Sequence, residues 1–222
     1  MKQNRENPFF ETYRTPFGTP PFDQIETEQY EPAFDEGIWQ LDEEVRAIAD
    51  NTELPTFENT IIALERSGKL LDKVISAFFN VLNAEADDEM MDISQRVSPK
   101  LSESSNNIYL NEQLFARVKS VYDRKDELHL PMEDARLLEK TFEAFCARGA
   151  ALGPEEKEKY RKLSSELSLL SLTFDQNALK DKNRYELLLT KEDELEGLPE
   201  SIREAAAPGT GGTSSLTVTL HN

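Results

Sequence analysis

Between residues 57 and 82 the positions Phe57, Ile61, Leu64, Gly68, Leu71, Ile75, Phe78 and Leu82 recur at alternating steps of four and three. Only an α-helix gathers such a spacing onto one face, so this stripe commits the chain to helix-on-helix packing. Ile62, Leu70, Val74 and Val81 widen the apolar face beyond a two-in-seven seam. A helix running to about residue 83 is therefore expected to touch more than one neighbour. Thr56 heads it as a cap, and Glu58 suits the positive end of the helix dipole. Gly68 costs about 1 kcal/mol inside a helix and marks a close backbone approach or a local bend.

The remaining chain reads mostly as further helices. Tyr30, Phe34, Ile38, Leu41, Val45 and Ile48 form one stripe over 28–50. Met91, Ile93, Val97, Leu101 and Ile108 define a stretch from about residue 87, with a kink expected at Pro99. Residues 111–127, with Leu114, Val118 and Val121, read as a separate helix or a bent continuation. A helix over 132–151 follows Leu130 and Pro131. Gly149 and Gly153 then mark a helix end, and Pro154 the start of the last long helix over 155–181. There Tyr160, Leu163, Leu167, Leu170 and Phe174 make the stripe, flanked by Ser164, Ser165, Ser168 and Ser171 as small residues suited to close helix packing.

Both ends differ in character. Pro8, Pro16, Pro20 and Pro21 exclude a helix over 7–26, yet the aromatic residues among them suit an extended arm lying on the helical body. Residues 185–189 read as a short strand, a short helix runs from Pro199 to about 207, and 208–215 is a Gly/Ser linker by composition. Leu216 to Leu220 alternates like a strand that can pair with 185–189. The expected fold is thus all-α, an elongated array of antiparallel helical hairpins with a small two-stranded β element near the C-terminus. Its expected domains are an arm over 1–26, a helical domain over 27–182, and over 183–222 the start of an interrupted domain.

Charge and composition exclude several function classes. Twenty-five basic against forty-three acidic residues leave a net charge of −18, which repels nucleic-acid phosphates and anionic lipid surfaces. No run approaches the ~18 apolar residues of a membrane span, and the first residues lack the apolar stretch of a signal peptide. Neither nucleic acid nor membrane is expected as a partner, and the expected location is the cytoplasm. Cys146 is the single cysteine, read as a buried helical thiol with no base positioned to activate it.

A hydrolytic zinc site needs three side-chain ligands and an open position, most economically two histidines four apart on a helix. His129 and His221 are the only histidines, and both lie in segments read as loop or chain end. The acidic pairs Asp87-Asp88 and Glu43-Glu44 lack the alternating oxygen ligands and central glycine of a calcium loop, and read as solvated helix ends. The glycines at 209, 211 and 212 precede a strand and no lysine follows them, so they form no phosphate loop. No catalytic, cofactor-binding or metal-ligating residue is assigned from the sequence.

A series of phrases nevertheless points to a family. Asn7-Pro8-Phe9, the arm from Thr15 to Ile25, Tyr30-Glu31-Pro32-Ala33-Phe34, and Pro55-Thr56-Phe57-Glu58-Asn59-Thr60 open it. Leu64 to Gly68, Asn80-Val81-Leu82 and Glu194 to Ser201 continue it. In that order and spacing, over 7–207, the chain resembles the N-terminal part of the peptidyl-dipeptidase and oligopeptidase A branch of the thimet-oligopeptidase family. Members are zinc peptidases whose two helical halves enclose a channel. Their His-Glu-x-x-His motif lies in the other half, so the resemblance carries no metal or catalytic residue onto this chain. It implies a non-catalytic wall of the peptide channel, inactive alone, with zinc in the full-length family, and with a catalytic half and short peptides as partners. Residues 208–215 depart from the family's pattern, which fits either a cut gene or a naturally shortened relative. The alternative is a stand-alone acidic helical module that binds peptides or a partner protein; an exposed seam further predicts self-association.

Overall fold

A computed structural model describes residues 7–85, 87–184, 186–189, 196–197, 199–200 and 216–219, and divides into units of residues 1–170 and 171–222. In the first unit, helix α1 (Tyr30–Ala49) follows a short 3-10 turn over Thr27–Gln29. Glu26 and Gln29 cap that turn reciprocally, the Glu26 amide donating to Gln29 Oε1 at 2.9 Å. The next helical stretch opens as a widened π-type turn over Phe57–Ile62, passes into α2 (Ala63–Glu65), and resumes after a break as α3 (Lys69–Glu85). Helices α4 (Asp88–Tyr109), α5 (Glu112–Tyr122), α6 (Met132–Ala147) and α7 (Pro154–Arg184) follow.

The stripe of α1 serves two cores. Its first half sends Tyr30, Ala33 and Phe34 into a cluster with Val74 and Phe78 of α3 and Ile93 and Val97 of α4. Phe34 and Phe78 meet edge to face at 5.2 Å, the arrangement that aligns a ring edge with a neighbouring π face. Its second half places Val45 and Ile48 against Phe57 and Ile61, Leu114, Val118 and Val121 of α5, and Leu138 and Phe145 of α6. Leu41 packs against both clusters. Gly37 permits the approach of α1 to α3, because a side-chain carbon there would sit 3.0 Å from the Leu71 backbone.

The single helix expected over 57–83 is in fact broken. Gly68 adopts φ +74°, a left-handed turn that ends α2, and its amide donates to Glu44 Oε2 at 2.7 Å. A carboxylate from α1 therefore supplies the N-terminal acceptor for α3, which sequence spacing cannot disclose. Thr56 caps the π-type turn reciprocally with Asn59, at 3.0 and 2.8 Å. Residues 111–127 resolve into a separate helix, α5, capped by Asn111. α6 ends at Ala147, and Gly149 at φ +88° turns the chain toward α7.

Part of the arm enters the first core. Phe9 is buried against Tyr30 with ring centroids 5.3 Å apart, and Asn7 Nδ2 donates to the Gln29 carbonyl at 2.8 Å. Lys73 Nζ donates to the carbonyls of Phe9 and Glu11 at 2.8 and 2.7 Å, tying the arm to α3. Phe17, by contrast, is wholly exposed, and Phe22 about half exposed.

In the second unit, the segments Glu186–Leu189 (β1) and Leu216–Thr219 (β2) pair antiparallel, with Leu187 opposite Val218. Four residues on each side make a ribbon that is marginal by itself and adds no layer. The fold class is accordingly all-helical, and the β element is dropped from it. The helix expected over 199–207 and the linker over 208–215 lie outside the described residues.

Candidate functional site

The residues that chemistry would first inspect are dispersed. Cys146, expected to be buried, is exposed on α6 because the stripe of that helix buries Leu138 and Phe145 instead. His129 occupies a left-handed turn at φ +47° ahead of α6, at the edge of an open cleft of about 820 Å³ shared with Lys125, Asp126, Glu133 and Arg136. His221 lies outside the described residues. Asp87 caps α4, its Oδ1 accepting from the Met90 amide at 2.8 Å, while Glu43 pairs with Arg46 and Glu44 accepts from Gly68. Among the described residues no three His, Cys, Asp or Glu side chains converge as metal ligands.

Two surfaces remain as candidates. The first is an open cleft of about 930 Å³ between the arm and the α1–α3 pair, lined by Phe10, Tyr13, Pro20, Glu36, Leu70 and Lys73. Lys73 stands 3.7 Å over the Tyr13 ring, and burial holds its ammonium below the usual lysine range. Burial, helped by the nearby Tyr30, pushes the Tyr13 phenol up to about 12, so it stays neutral. The Tyr13 hydroxyl is buried without a hydrogen-bond partner among the described residues. The walls of the cleft mix aromatic rings, the Glu36 carboxylate and the Lys73 ammonium, the last already held by the carbonyls of Phe9 and Glu11.

The second surface is the outer face of α7 within the first unit. Sequence spacing assigns its leucines to packing and its serines to the flanks; the structure reverses this. Lys157 Nζ bonds Glu112 at 3.1 Å, Arg161 Nη1 bonds Asn107 at 2.9 Å, and Ser164 exchanges hydrogen bonds with Asn106 at 2.8 and 3.2 Å. The polar edge of α7 thus faces α4 and α5. Leu163, Leu167 and Leu170 point outward at 55%, 63% and 60% exposure, whereas Leu169 lines a cleft with Pro99 and Glu103 of α4. Burying the exposed parts of these three leucines gains roughly 3–5 kcal/mol. Joining two free molecules costs an estimated ~4–15 kcal/mol, so this row alone holds a separate partner weakly at best. A neighbour on the same chain escapes most of that cost.

No family model matches the chain. Individual proteins do. The dipeptidyl carboxypeptidase of Escherichia coli is 40% identical over 201 residues, covering 90% of this chain and 30% of the relative. Its Salmonella typhimurium counterpart is 37% identical over the same length. Oligopeptidase A of Haemophilus influenzae is 26% identical over 189 residues, 85% of this chain and 28% of the relative. The chain therefore spans less than a third of the length of these curated relatives.

Proposed function

We propose that this homologue of the dipeptidyl carboxypeptidases and oligopeptidases A is the non-catalytic, N-terminal helical part of a zinc-dependent peptidase, forming one wall of the channel that admits short peptides. The observation that carries the reading is 40% identity over 201 residues that make up only 30% of the relative. In the full-length protein zinc would supply a polarised water for peptide-bond hydrolysis. The described residues do not fit that metal, because no three of their His, Cys, Asp or Glu side chains converge. What this chain contributes is shape: a rigid double-core helical layer that limits access by size. The paired segments β1 and β2 belong to this reading as a ribbon that needs a covering layer. We place the action in the cytoplasm; the lone cysteine suits a reducing compartment, and no described helix is long and apolar enough to cross a membrane.

The test joins this chain to the portion of the E. coli dipeptidyl carboxypeptidase beyond its matched 201 residues. Release of dipeptides from short peptides is expected from the joined protein and not from the 222-residue chain. Chelator-sensitive cleavage by the chain alone, or a folded but inactive joined protein, would sink the reading. The arm cleft favours a second reading, a stand-alone peptide-binding module. Calorimetric titration of the chain with short peptides distinguishes it, since the wall reading expects no tight complex.

A further inference from the structure

We infer that residues 7–13 are a strap that opens from α1 and α3 without unfolding the helices, with Lys73 as its latch. The strap is held narrowly. Among the described residues, every hydrogen bond between residues 8–25 and the helical body is donated by Lys73 Nζ, to the carbonyls of Phe9 and Glu11 at 2.8 and 2.7 Å. The same ammonium stands 3.7 Å over the Tyr13 ring. One side chain on α3 therefore governs three contacts. Deep apolar burial in the strap is confined to Phe9, with Phe10 and Tyr13 only partly buried beside it.

Closure also leaves polar groups poorly served. The Tyr13 hydroxyl is buried with no hydrogen-bond partner, and the partly buried Lys73 ammonium meets two carbonyls and a ring but no carboxylate, among the described residues. Both groups regain water when the strap leaves, so the closed state is poised and not locked. The chain that follows is free to swing. Its turn over Pro16–Gly18 is bonded within the arm, Thr19 Oγ1 donating to the Pro16 carbonyl at 3.1 Å, and Phe17 is wholly exposed. Residues 14–24 can thus follow the strap without breaking a hydrogen bond to a helix. A segment with so few anchors opens at a lower free-energy cost than the domain as a whole. The arm is one wall of the 930 Å³ cleft, so the cleft exists only while the strap is shut.

Amide hydrogen exchange of the 222-residue chain, read by NMR, tests this at Phe10 and Glu11, whose amides donate to the Asn7 and Pro8 carbonyls at 3.0 and 3.2 Å. Those amides are expected to exchange at least about ten-fold faster than the core amides of α3. Lys73→Met is expected to speed them by about ten-fold again while leaving α3 within about two-fold. Tyr13→Phe removes the unpaired hydroxyl and keeps the ring under Lys73, so it is expected to slow the same amides several-fold. Should Lys73→Met fail to fold, the parent chain and Tyr13→Phe still decide. Exchange of Phe10 and Glu11 in step with α3 in the parent chain would overturn the strap, and unchanged exchange in a folded Lys73→Met would overturn the latch. Unchanged or faster exchange in Tyr13→Phe would show that the closed state is not poised.

Discussion

Asp42 sits where α1 meets α4, its carboxylate accepting the Ser104 hydroxyl at 3.2 Å. Desolvation raises its carboxyl above the ordinary aspartate value, and the Ser104 hydrogen bond only partly opposes this. The folded state then binds the proton more tightly than the unfolded state, so stability falls as pH rises through that raised value. Asp42→Asn is expected to raise the melting temperature at pH 7, with the difference vanishing near pH 3. A variant no more stable at neutral pH would refute this account. Arg117 shows the opposite case, a buried cation held by oxygens through its two Nη atoms, while its Nε has no hydrogen-bond partner among the described residues. Its Nη1 donates to the carbonyls of Asn51 and Glu53 at 2.6 and 3.0 Å, and its Nη2 to Asn59 Oδ1 at 3.1 Å, pinning the 51–55 turn to α5. Arg117→Met leaves those acceptors unpaired, and urea denaturation should register a loss of about 3 kcal/mol. Nothing in the spacing of Arg117 separates it from the surface cations around it.

At the scale of elements, Gly68 is where the stripe of 57–82 divides. The sequence shows that a glycine interrupts the seam; only the left-handed φ and the Glu44 carboxylate show that the helix stops there. Gly68→Ala forces a side chain into that conformation and sets its Cβ 3.1 Å from Leu41 Cδ1, so a loss of about 1–2 kcal/mol is expected in thermal denaturation. An unchanged midpoint would mean that α2 and α3 can join. The leucines of α7 and the phenylalanines of α6 read alike in sequence and differ in depth. Phe145→Ala should cost about 3–5 kcal/mol, whereas Leu163→Ala should shift the stability of this chain by no more than ~0.5 kcal/mol. Comparable losses from both would place the leucine row inside the fold.

For the whole molecule the dominant long-range term is charge. A net −18 disfavours the compact state through self-repulsion, while ion pairs such as Lys100 with Asp35 at 2.6 Å are exposed and contribute little. Raising sodium chloride from about 10 mM to about 150 mM shortens the screening length from ~30 to ~8 Å. The melting temperature is expected to rise by a few degrees over that range, and a fall would show that surface pairs outweigh the net repulsion. The resemblance to the dipeptidyl carboxypeptidases and oligopeptidases A also belongs to this scale, being legible in phrases spread along the chain and matched over 90% of it.

Periodicity by itself determined that the chain is helical, roughly where each helix runs, and which faces are apolar, since those follow from local geometry at 3.6 residues per turn. Tertiary structure decided which of those faces has a neighbour. The stripe of α1 closes one core with α3 and a second with α5 and α6, while α7 packs by its serine edge and keeps Leu163, Leu167 and Leu170 outside. An apolar face states a demand for burial, and whether that demand is met depends on residues distant in sequence, which no local pattern encodes.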